Sequence, residues 1–221
     1  MEVLPLANQL GQLVGSAQKC QESGHLAKAL ESWEAALSLS SSKLNGGPGQ
    51  TAEHAGLARR AAQVANKLAI TWISGAQHRP DIALSILKRA MALTEHAAVP
   101  PPLPSPPASA AAGGGAGPSA AGLPSATAGA PVPGTPGSSD TAAREEEERL
   151  KTLACTHNNI ACVHRKSGDA SAALSALEKA LQLEARCTLT GDPAGTHLNL
   201  CVVMSQLGRH RDALQHAMSA T

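Results

Sequence analysis

Alanine returns to the same two places after each of four turn-like positions, and that recurrence limits how this chain can pack. Gly24, Gly168 and Gly208 serve as reference points, with His78 at the same place in a weaker copy. Five residues on stand Ala29, Ala83, Ala173 and Ala213, and twelve residues on stand Ala36, Ala90, Ala180 and Ala220. Nine on, the chain carries Trp33, Leu87, Leu177 and Ala217. Eight residues before the reference point come Ser16, Ile70, Ile160 and Leu200, followed by Ala17, Thr71, Ala161 and Cys201. With 43 alanines among 221 residues, filling all of these alanine slots is a true internal repeat.

The spacing describes a helical hairpin. Apolar residues recur every three or four positions on both sides of the turn, which makes one stripe of an α-helix. Small residues at fixed places let two helix axes approach closely, ridge into groove. Glycine at the turn takes the positive φ that a helix C-terminus prefers. In the second copy Pro80 stands in for this device, because a helix can begin at proline without its N–H. Composition agrees: there is no Phe or Tyr and there are two Trp, against 43 Ala and 27 Leu. A β-sandwich or barrel needs aromatic and β-branched residues to fill its pleats, so those folds are excluded.

A unit that runs small residue, turn glycine, alanine, aromatic, alanine resembles the tetratricopeptide repeat (TPR). The third copy is the nearest in pattern, Asn158-Asn159-Ile160-Ala161-Cys162-Val163-His164-Arg165-Lys166-Ser167-Gly168-Asp169 followed by Ala173 to Leu183. The step from the third to the fourth turn, and the Asn-Asn-Ile start, resemble the longer repeats of kinesin light chains. The resemblance implies an all-α, helix–turn–helix repeat array, a TPR-like α-solenoid that binds proteins and has no catalytic centre. Helices are expected near 5–22, 25–40, 52–77, 80–97, 141–167, 169–186, 194–207 and 209–220.

Residues 99–139 interrupt this pattern. They hold 11 of the 15 prolines and 8 of the 20 glycines and no charge. Such a tract cannot bury enough apolar surface to offset its ordering entropy, so a disordered Pro/Gly/Ala-rich linker is expected. The chain then divides into 1–98 with two hairpins, the linker 99–139, and 140–221 with two more. Closing a loop of this length costs only about 3 kcal/mol, so the halves can stack. Residues 101–107 (Pro-Pro-Leu-Pro-Ser-Pro-Pro) have polyproline character but no flanking base, which favours a plain linker over an SH3-type ligand. After the linker, Asp140-Thr141 are expected to cap a helix whose run Glu145 to Glu148 forms a solvated face, paired with Arg144 and Arg149 at a spacing of four.

Charge and motifs exclude several activities. The net charge is +1 and 16% of residues are charged, against about 25% in typical globular chains. No broad basic field collects phosphates, so nucleic acid is not an expected partner. The start Met1-Glu2-Val3 has an acid where a signal peptide needs a base, and proline and glycine break the long uncharged stretch as a membrane span. A cytoplasmic protein is expected, with cytoskeletal or ciliary association open, and no membrane partner. Five cysteines without tight pairing read as reduced thiols. No Gly-rich phosphate loop occurs, and no cofactor is expected. His210-Arg211-Asp212 matches part of a kinase loop, but Ala217 stands where magnesium needs Asn. Cys155 with Cys162, and His157 with His164, are seven apart, which is not zinc-ligand spacing.

The polar residues that carry information are asparagines. Asn159 precedes Ile160 and Asn199 precedes Leu200, at one place in two first helices. In proteins this chain resembles, such amides line a concave groove and hold the backbone of an extended peptide, since an amide both donates and accepts. Asn158, Arg165 and Lys166 fall on nearby turns, the bases suiting an acidic peptide. The alternative is that these amides bond neighbouring backbone within the repeat. Gly15 and Ala69 are expected at the equivalent places in the first half. A protein or peptide is the expected partner; the other reading is a structural subunit of a cytoskeletal or ciliary assembly without a separate ligand. Leu214, Ala217 and Met218 belong to the last hairpin, whose outer face has no neighbour, so self-association through that end is also expected.

Overall fold

The structure is a computed structural model that describes residues 6–44, 52–74, 79–96, 138–187 and 193–221. Among the described residues there are eight α-helices and no strand. They are α1 (Leu6–Glu22), α2 (Leu26–Leu44), α3 (Ala52–Ser74), α4 (Pro80–His96), α5 (Ser138–Lys166), α6 (Ala170–Glu184), α7 (Ala194–Gln206) and α8 (His210–Ser219). Consecutive helices pair as hairpins, α1 with α2 through α7 with α8, and each first helix also packs on the hairpin before it. The fold is an all-α helix–turn–helix repeat array of TPR-like kind.

Three of the four turns are built identically. Gly24, Gly168 and Gly208 hold φ of 77°, 85° and 75°. In each, the glycine N–H bonds the carbonyl three residues back, and the next N–H bonds the one five back. The pairs are Gln21 and Cys20, Arg165 and His164, and Ser205 and Met204. That crossed pair of bonds ends a helix only where one residue enters the left-handed region, which is why glycine recurs there. After the third turn Asp169 accepts from the Ala172 N–H at 2.9 Å and caps α6. The second hairpin uses another device. Pro80 opens α4, and Arg79 binds Asp81 at 2.8 Å, holding that carboxyl down to about 2 through the hydrogen bond and the helix start. Residues 75–78, with His78, lie outside the described residues.

The alanine slots are where the helices touch. Ala29, Ala83, Ala173 and Ala213 are all buried, as are Ala36, Ala90 and Ala180, while Ala220 is half-exposed. Trp33, Leu87 and Leu177 are fully buried between them. Trp33 spans two hairpins: its Nε1 donates to the Ala61 carbonyl at 3.1 Å, and the Arg89 guanidinium lies 5.5 Å from its ring centre. One apolar core runs from Leu10 in α1 to Val203 in α7, so both halves of the chain share it. Across the junction α5 packs on α3 and α4, with Arg59 Nη1 donating to the Glu145 carbonyl at 3.1 Å.

Several boundaries differ from the sequence reading. α2 runs on to Leu44, beyond the end expected near residue 40. α5 starts at Ser138, so Asp140 sits inside its first turn and does not cap it. The rest of the 99–139 tract, including 101–107 and Gly113 to Gly115, lies outside the described residues. The acidic run is not one solvated face. Glu147 is buried with Lys151 Nζ 3.6 Å away, and Glu146 meets Arg149 at 2.7 Å and Arg186 at 3.7 Å. Arg149 pairs with Glu146 at a spacing of three, and its hydrogen bond holds the Glu146 carboxyl below its usual range.

Candidate functional site

The asparagines meet each other. Asn66 Nδ2 donates to Thr156 Oγ1 at 2.9 Å, and Asn66 Oδ1 accepts from Asn159 Nδ2 at 2.8 Å. One repeat later, Asn158 Nδ2 donates to Thr196 Oγ1 at 2.6 Å, and Asn158 Oδ1 accepts from Asn199 Nδ2 at 3.2 Å. These two joints have the same chemistry and topology. In each, an amide of one first helix reaches a threonine and an asparagine, three residues apart, on the next. The threonine hydroxyl keeps its own acceptor: Thr156 donates to the Thr152 carbonyl at 2.8 Å, and Thr196 to Glu184 Oε1 at 2.7 Å.

This geometry corrects the register of the second copy. Asn66 plays the part of Asn158, so the first helices of the second and third copies align two residues away from the expected frame. Residues 75–79 stand between α3 and α4 where only 167–169 stand between α5 and α6, and the longer connection absorbs the shift. Leu68-Ala69, both fully buried, therefore occupy the places of Ile160-Ala161, while Ile70 is 46% exposed. Lys67, not Ala69, is the counterpart of Asn159. At the first joint the same slots hold Val14 and Val64, both buried, so an apolar contact replaces the amide there.

The expected site residues fall into two groups. Asn158, Asn159 and Asn199 are engaged side chain to side chain between repeats, and Asn159 is buried. Asn158 and Asn199 stay half-exposed. The second group is open: Arg165 is half-exposed, and exposed Lys166 donates its Nζ to the Ile73 carbonyl at 3.4 Å, near the C-terminal end of α3. Thr156, Thr196 and Asn66 were missed from sequence. The repeated Thr-x-x-Asn of 156–159 and 196–199 is the signal that finds them.

On the first helices an exposed stripe runs beside the joints. In the corrected register Ile70, Cys162 and Val202 share one slot; Ile70 is 46% and Val202 44% exposed, and Cys162 is half-buried. Lys67 and Lys166 are exposed alongside. The kinase-like triplet opens α8 with Asp212 tied to Arg209 at 2.7 Å. Among the described residues no three His, Cys, Asp or Glu converge as metal ligands would, and no helix is long and apolar enough to cross a membrane. The cysteines are free thiols.

Hairpins of this length, three of the four closed by Schellman turns, and stacked first helix on hairpin, define a TPR-like repeat protein. Among solved structures, BtubC (BKLC) from P. vanneervenii superposes with a TM-score of 0.54 at 16% identity, over all of this chain. This chain spans 65% of the BtubC length. Weaker likenesses are MamA (TM-score 0.30, 12% identity, 96% of this chain and 90% of that one) and a Podospora anserina protein described as a kinesin light chain with nearly identical TPR-like repeats. The latter has a TM-score of 0.34 at 12% identity over 99% of this chain and 97% of its own. At sequence level no protein-family profile and no curated protein matches.

Proposed function

We propose that the chain is a protein-interaction scaffold whose first helices bind an extended, acidic and apolar segment of a partner protein. The observation that carries this reading is the stripe Ile70–Cys162–Val202, one residue on each of α3, α5 and α7 in the same slot, with Ile70 and Val202 exposed and Cys162 half-buried. Repeat arrays present their first helices along one continuous binding face. Neighbouring helix axes stand about 8–10 Å apart, and an extended strand rises about 3.3 Å per residue, so stripe residues meet every third residue of a bound segment. Lys67, Arg165 and Lys166 beside the stripe suit carboxylates between those contacts. The amides Asn158, Asn159 and Asn199 then contribute by holding the first helices in register.

A set of fluorescent peptides with an apolar residue at every third position and Asp or Glu between them tests this by anisotropy. Binding is expected to weaken with salt and to fall at least tenfold in Ile70→Asp/Val202→Asp, whose exposed positions leave the core intact. Failure of every peptide at hundreds of micromolar, or equal binding by the variant, overturns the proposal.

A further inference from the structure

Two imidazoles meet inside the fourth hairpin, at a crossing that no earlier hairpin fills with a pair of polar rings. His197 of α7 and His216 of α8 bring their Nδ1 atoms to 3.0 Å, with ring centres 5.2 Å apart. At the slot of His197 the earlier copies hold Leu13, Ala65 in the corrected register, and His157. At the slot of His216 they hold Ser32, Ile86 and Ala176. Ala65, Ile86 and Ala176 are buried, so aliphatic side chains are enough to close this crossing. Packing gives no reason for two rings here.

Two neutral imidazoles share one proton along the line between their nitrogens, and a divalent metal can take its place. Imidazole suits late transition ions. An ion about 2.0–2.1 Å from both nitrogens subtends an angle of about 95° at this spacing. That is close to the right angle of tetragonal and octahedral ions and short of the tetrahedral angle that zinc takes. A small turn of each ring aims both lone pairs at one point. The shared proton moves to Nε2 of its own ring, so both imidazoles stay neutral.

We propose that His197 and His216 form a two-histidine site for a divalent ion of the nickel and copper class, which staples α7 to α8. Asp212, one turn before His216, stays bonded to Arg209 at 2.7 Å and supplies negative charge beside the site without being a ligand. No three His, Cys, Asp or Glu converge among the described residues, so water completes the coordination. The staple acts on a helix with little else to hold it: α8 has 10 residues, buries only Ala213 and has no side-chain cap. An ion that binds the folded hairpin in preference to the unfolded chain stabilises that hairpin. The two ligands lie within one hairpin, so the site needs neither a following repeat nor a second chain.

Ni²⁺ titrated into the metal-free full chain, in a phosphine reductant, is the test, followed by calorimetry and by the histidine NMR resonances. One site is expected, with paramagnetic broadening first at His197 and His216 and a raised melting temperature. Mg²⁺ at the same concentration is expected to do neither. His197→Asn and His216→Asn are each expected to weaken nickel binding at least tenfold, and His157→Asn to leave it unchanged. The broadening is read on the parent chain, so it decides the matter even where a variant folds poorly. No binding by the parent at millimolar Ni²⁺, broadening confined to other histidines, an equal effect of Mg²⁺, nickel binding that survives in both site variants, or its loss in His157→Asn overturns the proposal.

Discussion

The third and fourth hairpins share a turn, a register and an alanine at the central crossing, yet they are held in different ways. α5 and α6 have 29 and 15 residues and lie between neighbours on both sides, whereas α7 and α8 have 13 and 10, with nothing beyond α8 among the described residues. α6 buries Ala173, Ala176, Leu177 and Ala180; α8 buries only Ala213. α6 has an aspartate cap and α8 has no side-chain cap. The repeat signature therefore specifies the hairpin, while burial comes from the neighbour that covers it. In such arrays stability is a sum of unit and interface contributions, so the same substitution has different consequences in the two places.

The largest expected contrast is at the shared crossing. Ala173→Leu inserts three heavy atoms between helices fixed from both sides, and overpacking of this kind costs about 1–3 kcal/mol. Ala213→Leu at the same slot should cost under about 1 kcal/mol, because among the described residues α8 packs on α7 alone and can move outward. Chemical denaturation of both variants measures the difference. Equal losses would mean that α8 is held as firmly as α6, against the comparison just drawn.

A smaller effect separates the two amide joints. Asn66→Ala leaves buried Asn159 and Thr156 without the amide that bonds both, at a cost of about 1–3 kcal/mol. Asn158→Ala removes the matching bonds at the joint of the third and fourth hairpins, where Asn158 and Asn199 are half-exposed and water replaces part of the loss. Its cost is expected nearer about 0.5–1 kcal/mol. If Asn158→Ala proves the more damaging, the two joints do not rank by burial.

How far these features can be read from sequence follows the same division between unit and neighbour. Gly24, Gly168 and Gly208, and the alanines five and twelve residues on, are local requirements of a turn and a close crossing, so sequence alone shows them. The TPR-like fold and the eight helices follow from them. The joints are long-range: Asn66 finds Asn159 across the 99–139 tract, and no local pattern pairs residues so far apart. The second copy was misaligned because its turn lacks glycine, and a chosen frame carries through an insertion that only the packing of Leu68 and Ala69 reveals. The bases Arg165 and Lys166 were legible as surface charge, whereas the exposed stripe was not, since exposure of Ile70 and Val202 depends on which helices stand beside them.

The least effect expected, and the most specific to the fourth hairpin, is its response to acid. His197 Nδ1 and His216 Nδ1 are 3.0 Å apart with the rings stacked 5.2 Å centre to centre, so one nitrogen donates and the other must stay unprotonated to accept. Desolvation, then the neighbouring His197, pushes the His216 pKa down, with Asp212 opposing and Arg209 adding to the shift. A histidine depressed in the folded state binds fewer protons than in the unfolded chain, so stability is complete above the unfolded value of about 6.5 and declines as pH falls below it. His157 in the third hairpin is depressed as well, by desolvation and Lys179, and contributes a slope of the same sign. Acid should therefore loosen both hairpins, the fourth through loss of the one histidine contact that joins the start of α7 to the end of α8. Between pH 7 and pH 5.5 the melting temperature should fall, and His216→Asn should remove about 1–2 °C of that fall while His157→Asn removes a separate share. Histidine resonances followed by NMR through the same range locate each titration. A His216 that titrates above the ordinary histidine value would reverse the sign, because the folded chain would then gain protons first and the fourth hairpin would tighten in acid.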